Sequence, residues 1–162
     1  MADSSFDVVS DFDQQELVNA LDQVRREVAT RFDFKGARVS LELGKEEITL
    51  HADDEFRAGS VKDLLQTKAV RRSLSLKIFD WGRLEPAAGG TVRQRIGLHR
   101  GLTSEQAKEI AKMVRDRFPK VKPAIQGDAV RVSGKSKDEL QGVITHLRGL
   151  DYPVALQFIN YR

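Results

Sequence analysis

Residues 103–118 read TSEQAKEIAKMVRDRF, and residues 13–32 read DQQELVNALDQVRREVATRF. Each stretch begins with a residue that can cap a helix and has Glu or Gln three positions later, which is the spacing of a capping box. Each then places its apolar residues on one face of a helix and ends in Arg-Phe. The repetition predicts that one structural unit occurs twice in the chain.

The two copies continue in the same order after these helices. Alternating apolar residues predict strands, and a second helix with an apolar face follows the middle strands of each copy. We therefore predict an α+β protein of two tandem ferredoxin-like (βαββαβ) domains, with antiparallel sheets that carry helices on one face. The predicted domains are residues 1–90 and 91–162. The predicted strands include Phe6–Val9, 48–50 and 74–78 in the first copy and Val92–Leu98, 130–132 and 156–158 in the second. A linker is predicted over Gly82–Thr91, in which residues 83–87 form at most a short strand.

Charge is distributed unevenly between these halves. The whole chain has 27 Lys and Arg against 24 Asp and Glu, a net charge of +3. Residues 1–90 contribute 13 against 17, or −4, and residues 91–162 contribute 14 against 7, or +7. The excess raises the case for a phosphate-bearing partner of the second half, whereas composition alone favours a solvated basic surface.

Composition excludes several other classes of protein. The absence of cysteine rules out disulfides and thiolate metal sites. No apolar run approaches the roughly 18 residues of a membrane span, and the stretch MADSSFDVVSD has no apolar signal core. We therefore expect a cytoplasmic protein that does not contact a membrane.

The alternation along the strands of the second copy predicts a cationic sheet face. Side chains of a strand point alternately to its two faces, so the residues between the apolar ones share the outer face. Arginine suits phosphate through its planar fork, and tyrosine offers a stacking face to a base. The outward set is predicted to converge on one nucleotide-binding surface and consists of Thr91, Arg93, Arg95, Arg131 and Tyr161. We accordingly expect Arg131→Ala to weaken ligand binding and to leave the melting temperature nearly unchanged.

A second group of candidates follows the first helix, in RFDFKG at residues 31–36. Phe32 matches Phe118 of the other copy, which favours a core role at the end of a helix. Asp33, Phe34 and Lys35 have no counterpart in the other copy, and an element present in one copy only is less easily a requirement of the fold. We therefore predict ligand contacts from Arg31, Asp33, Lys35 and Gly36, with Phe34 as a stacking residue. Gly89, Gly90 and Thr91 offer backbone amides to a phosphate, although an interdomain turn explains them equally well.

No motif indicates catalysis. AVRVSGKS at residues 129–136 has the end of a phosphate loop, but Ala129 stands where the first glycine belongs. The three histidines have no metal-ligand spacing, and no serine lies in a nucleophile elbow. We expect a protein without enzymatic activity, metal or cofactor.

Four segments together carry a resemblance to a known family: RFDFKG, GGTVRQ at 89–94, IQGDAVRVSGK at 125–135 and LQFINYR at 156–162. The sequence resembles the bacterial YajQ family of nucleotide-binding proteins over nearly its whole length. The resemblance implies a cytosolic, non-enzymatic protein of two ferredoxin-like domains that exchange their N-terminal strands. It also implies a guanine-nucleotide or cyclic dinucleotide ligand such as cyclic di-GMP, or RNA in some members.

Three functional hypotheses remain. The first is a nucleotide sensor or effector that binds cyclic di-GMP and signals through a regulatory protein partner. The second is an RNA-binding protein, for instance for tRNA, that uses the basic second half. The third is a protein-interaction adaptor whose sheets are docking faces. A polyanion ligand is distinguished by a steep loss of affinity with salt.

Overall fold

The computed structural model describes residues 3–162, except for the side chain of Phe32. Within that range the elements alternate between strands and helices in the order predicted for two βαββαβ units. The first half contains β1 (Ser4–Val9), α1 (Gln14–Thr30), β2 (Ser40–Leu43), β3 (Glu47–Ala52), α2 (Glu55–Arg71) and β4 (Phe79–Pro86). The second half contains β5 (Val92–Leu98), α3 (Ser104–Arg117), β6 (Lys122–Gln126), β7 (Ala129–Gly134), α4 (Lys137–Gly149) and β8 (Gln157–Ile159).

The strands form two antiparallel sheets that exchange their first strands. One sheet has the order β6-β7-β1-β8 and the other β2-β3-β5-β4. β1 therefore pairs with β7 and β8 of the second half, and β5 pairs with β3 and β4 of the first half. The predicted ferredoxin-like fold is confirmed, and so is the strand exchange that the family resemblance implied.

The exchange makes one of the two compact units discontinuous in sequence. The terminal unit comprises the chain up to Asp11 together with Arg100–Arg162, and the central unit comprises Phe12–His99. The units thus do not coincide with the repeats at 1–90 and 91–162. The terminal unit has 12 Lys and Arg against 10 Asp and Glu, or +2, and the central unit has 15 against 14, or +1. The charge asymmetry of the linear sequence is absent from the folded units.

The helix starts are fixed by side chains, as the sequence predicts. The Asp13 carboxylate accepts hydrogen bonds from the amides of Gln15 and Glu16, which satisfies two orphan donors of α1. Thr103 and Gln106 form the reciprocal capping box of α3. These caps set the register in which the apolar stripes of the helices face the sheets.

Each unit has its own core, built from the strand that the other half supplies. Phe6 and Val8 of β1 are fully buried among the residues of α3, α4 and β7. Ile96 of β5 is fully buried among those of α1, α2 and β3. Phe118 packs partly buried against the terminal core. The core role predicted for Phe32 lies outside the part of the chain that the structure describes.

The strand that closes the first half lies later than predicted. Residues Leu76–Ile78 form a 3₁₀ turn instead of a strand, because the Ser75 hydroxyl accepts from the Lys77 amide and caps it. The strand is β4, so residues 82–86, half of the predicted linker over Gly82–Thr91, belong to the sheet. A bulge between Trp81 and Leu84 interrupts the pairing of β4 with β5. Because a bulge breaks the regular alternation of side chains, the sequence pattern does not reveal this strand.

Candidate functional site

The RFDFKG segment lines a cavity of about 760 Å³ in the central unit. Its walls are the end of α1, the turn that follows it and the start of β2. The lining residues are Arg25, Val28–Arg31, Phe34–Ala37 and Val39–Leu41. We call this cavity the α1 pocket. Four of the ten predicted site residues line it, namely Arg31, Phe34, Lys35 and Gly36.

Hydrogen bonds within residues 31–37 give the segment a defined shape. The Phe34 amide donates to the Arg31 carbonyl at 3.1 Å, and the Ala37 amide donates to the Phe34 carbonyl at 2.9 Å. Gly36 lies between these turns with φ of 76°, a left-handed conformation that glycine adopts without steric cost. The following strand β2 therefore starts directly beside the end of α1.

Arg31 is held by a carboxylate two residues away. Its Nε and Nη2 atoms donate to Asp33 at 3.0 and 2.7 Å, and its Nη1 lies 3.8 Å from Glu27. The Arg31 guanidinium lowers the pKa of Asp33, and the Asp33 carboxylate raises the pKa of Arg31. The predicted ligand residues Arg31 and Asp33 are thus brought together, but primarily as partners of each other.

The prediction that Phe34 stacks on a ligand is not supported by its position. Phe34 is only 3% exposed and belongs to the core of the central unit. The guanidinium carbons of Arg31 and Arg57 lie 5.3 and 5.7 Å from its ring centroid, so cations already contact the ring. Phe34 has no counterpart in the second repeat, yet it is part of the packed core of the central unit.

Two arginines that the sequence did not single out shape the α1 pocket. Arg25 donates from Nη2 and Nε to the Leu41 carbonyl at 2.6 and 3.2 Å, which ties α1 to β2. Arg57 on α2 donates from Nη1 to the Asp33 carbonyl and so supports the turn from behind. Both arginines lie on helices, and the carbonyl groups that accept their hydrogen bonds lie 16 and 24 residues away in the sequence. No local pattern marks them.

The α1 pocket combines an apolar wall with cations. Val28, Ala37 and Val39 are partly buried against the core and supply the apolar surface, while Arg25, Arg31 and Lys35 supply positive charge. The last carbonyls of a helix have no intrahelical partner, and α1 ends in this wall. The arrangement can therefore contact an apolar ring, accept hydrogen bonds from its amino groups and pair with an anionic group.

The cationic face predicted for the second half does not form. Arg93 and Arg95 lie on β5 in the sheet of the central unit, whereas Arg131 lies on β7 in the sheet of the terminal unit. Arg93 is paired with Glu85, its Nη2 being 2.6 Å from the carboxylate, and the pairing lowers the pKa of Glu85. Arg95 is exposed opposite Thr49 of β3. The exchange of β1 and β5 is the reason for the separation.

Arg131 is occupied by a carboxylate from the exchanged strand. Its Nε and Nη2 atoms donate to Asp7 at 2.9 and 3.2 Å, and the Asn160 amide donates to the same carboxylate at 2.8 Å. Asp7 is 6% exposed. The hydrogen bond from Arg131 lowers the pKa of Asp7, and burial acts in the opposite direction. The expectation that Arg131→Ala leaves stability unchanged is therefore withdrawn.

Tyr161 and Thr91 also differ from the predicted arrangement. Asn160 has φ of 57°, which breaks the alternation of the last strand. The Tyr161 ring consequently contacts Phe6, with centroids 6.2 Å apart, on the face opposite to Arg131. Thr91 closes the turn before β5, where its hydroxyl donates to the Ala88 carbonyl at 2.7 Å. Tyr161 therefore does not share a sheet face with Arg131, and Thr91 belongs to the turn before β5.

Residues 3–162 contain no group of three His, Asp or Glu side chains placed to hold a metal ion. None of the helices in this range is both long and apolar enough to pass through a bilayer.

The chain is similar to known proteins over nearly its whole length. A family model described as "Nucleotide-binding protein YajQ-like" matches residues 4–162. The chain belongs to the YajQ family. A relative from Chloroflexus aggregans, named a nucleotide-binding protein, is 62% identical over 162 residues, covering 99% of this chain and 98% of the relative. A relative of the same name from Synechococcus elongatus is 59% identical over 159 residues and covers 98% of both chains.

Membership of the YajQ family bears on the predicted fold and on the predicted nucleotide binding. The match spans both units, so the exchanged sheets fall within the region that the family shares. The relatives are named for binding a nucleotide and not for a reaction. The names of these YajQ relatives do not state where the nucleotide binds, and the α1 pocket is the cavity that contains the RFDFKG residues.

Proposed function

We propose that this protein binds a nucleotide in the α1 pocket and acts without catalysis in the cytoplasm. One observation carries the proposal: four of the five residues that sequence analysis selected in RFDFKG line a cavity of about 760 Å³. Pockets for small ligands occupy about 300–1,000 Å³ and combine apolar walls with a few polar groups. The relatives named as nucleotide-binding proteins support the same ligand class.

The chemistry of the walls suggests an orientation for the ligand. The base lies against Val28 and Val39, with its amino groups toward the carbonyls that end α1. A helix C-terminus carries a partial negative charge and favours hydrogen-bond donors over anions. The phosphate then lies at the other side, near Lys35. Guanine fits this orientation because its Watson–Crick edge presents adjacent N–H donors, and cyclic di-GMP is the guanine ligand that the family resemblance adds.

A sensor role follows from binding without chemistry. In this proposal the ligand covers the surface at residues 31–37, and a regulatory protein partner recognises that surface only in its ligand-bound form. The RNA alternative depended on the basic second repeat. The folded units carry only +2 and +1, so the charge that favoured RNA is no longer concentrated in one unit.

The test is isothermal titration of the full chain with GMP, GTP, AMP, cyclic di-GMP and a 12-nucleotide RNA. The blocking variant is Ala29→Trp, because Ala29 lines the α1 pocket and is exposed, so that a large side chain fills the cavity and spares the core. The control is Ala124→Trp, at an exposed position of β6 in the terminal unit. We expect saturable binding of a guanine nucleotide, its loss in Ala29→Trp and its retention in the control.

Two results would overturn the proposal. One is the absence of binding by every nucleotide in the panel. The other is unchanged binding in Ala29→Trp, which would place the site elsewhere. Tight RNA binding that weakens steeply with salt, without nucleotide binding, would establish the RNA alternative instead.

A further inference from the structure

The charges around the α1 pocket are mostly paired within the protein. Arg25 illustrates this: its Nη1 lies 3.0 Å from Asp22, and its Nη2 and Nε atoms donate to the Leu41 carbonyl. An arginine whose donors are used on three sides cannot turn a free fork toward a phosphate. Arg25 therefore shapes the wall and contributes little unpaired charge.

Arg31 is paired in the same way. Asp33 occupies two of its donors, and Glu27 lies beside the third. Glu27 is itself shared with Lys68 of α2, whose Nζ lies 2.8 Å from the carboxylate. A phosphate could take Arg31 only by displacing Asp33, and this carboxylate would then face the incoming anion. The second cation of the wall is thus also neutralised before any ligand arrives.

Lys35 differs from both arginines. Its side chain is exposed, and no hydrogen bond or ion pair involves it in the part of the chain that the structure describes. The charged side chains that line the α1 pocket, together with those joined to them by ion pairs, are four cations (Arg25, Arg31, Lys35 and Lys68) and three carboxylates (Asp22, Glu27 and Asp33), which leaves a net charge of +1. Arg57 is outside this lining and directs its guanidinium to the Asp33 carbonyl. The net positive charge of the lining is carried by Lys35.

We propose that the α1 pocket takes a single phosphate group at Lys35 and gains little or no affinity from the further phosphates of a polyphosphate chain. The ligand class is a nucleoside monophosphate, or a cyclic dinucleotide of which one phosphodiester enters. One phosphate neutralises the free charge. The second and third phosphates of a nucleoside triphosphate would find only paired cations and the carboxylates Asp22, Glu27 and Asp33, so they add little or act against binding. This inference rests on the proposed nucleotide-binding function and specifies its ligand.

The experiment titrates the full chain with GMP, GDP and GTP in EDTA, so that no divalent cation screens the phosphates. An exposed ion pair contributes at most about 1 kcal/mol, or about fivefold in affinity. We expect GTP to bind no more than about fivefold more tightly than GMP. Lys35→Ala should weaken GMP binding by about fivefold. Lys35→Arg should retain it, since the charge is kept. Lys45→Ala is the matched control, because Lys45 is an exposed lysine of the same unit that does not line the α1 pocket.

The outcomes separate this inference from the function on which it rests. If GTP binds more than about fivefold more tightly than GMP, or if Lys35→Ala binds GMP as the unaltered chain does, the single-phosphate inference is wrong and nucleotide binding stands. If none of the three nucleotides binds, the proposed guanine-nucleotide function fails together with the inference. If Lys35→Ala and Lys45→Ala weaken binding equally, overall charge is responsible and the role of Lys35 is refuted.

Discussion

Replacing Phe6 by alanine should destabilise the terminal unit, although Phe6 is encoded at the start of the first repeat. Phe6 is 1% exposed, and its ring centroid lies 6.0 Å from that of Phe158 and 6.2 Å from that of Tyr161. Burial of such a side chain contributes about 1.5–3 kcal/mol, and each ring pair about 0.5–1.5 kcal/mol more. The sum agrees with the roughly 3–5 kcal/mol typical of Phe→Ala in a core.

The matched variant is Ile96→Ala in β5. Ile96 is fully buried in the core of the central unit, and its truncation should cost about 2–5 kcal/mol. Native-state hydrogen exchange, followed by mass spectrometry of peptides, reports where the stability is lost. We expect Phe6→Ala to accelerate exchange in residues 100–162 and Ile96→Ala to accelerate it in residues 12–99. Each variant is the control of the other.

The opposite pattern would refute the exchange of strands. If Phe6→Ala accelerated exchange mainly in residues 12–90 and Ile96→Ala mainly in residues 100–162, each first strand would belong to the sheet of its own repeat. Equal acceleration in both regions for both variants would show that the two units unfold as one, against the division into separate cores.

Two further variants test the remaining structural arguments. Arg131→Ala should lower the melting temperature at pH 7, because the Asp7 carboxylate stays buried and loses its main hydrogen-bond donor. The pKa of Asp7 in the fold lies below its unfolded value of about 3.9. The stabilisation from the Asp7–Arg131 pair is therefore complete above about pH 3.9 and is lost as the pH falls through the folded pKa. The deficit measured by calorimetry should therefore shrink toward pH 2, and an equal deficit at both pH values would contradict this account. Gly82→Ala should cost about 1–3 kcal/mol in urea denaturation, since an added Cβ would lie 2.5 Å from the Arg95 carbonyl oxygen at the bulge. Gly59→Ala, in a helix and with open space around the new carbon, should instead stabilise the protein by about 0.5–1 kcal/mol. If Gly82→Ala proved at least as stable as Gly59→Ala, the steric argument would be wrong.

The candidate site shows where sequence reasoning succeeds and fails. RFDFKG attracted attention because it interrupts the repeat, and four of its residues line the α1 pocket. The supposed stacking role of Phe34 failed because a sequence does not show whether an aromatic residue after a helix turns toward solvent or toward the core. Arg25 and Arg57 were missed because their partners are backbone carbonyls far along the chain.

The sequence alone determined most of the local elements, with the strand predicted at 74–78 as the exception. Capping residues fix helix starts through bonds that span three positions, and apolar periodicity fixes which face is buried, so both are written within a few residues. The duplication then gave two ferredoxin-like units. The resemblance to a family added the exchange of strands, which no pattern within the chain encodes.

Only the tertiary structure decided which charges meet. β1 and β5 both alternate apolar and polar residues, and either can complete either sheet as far as periodicity is concerned. Their placement put Asp7 beside Arg131, 124 residues away, and moved Arg93 and Arg95 into the other sheet. Electrostatic interactions depend on distance in space, so a count of charges along the chain could not reveal that the basic half is divided between two nearly neutral units.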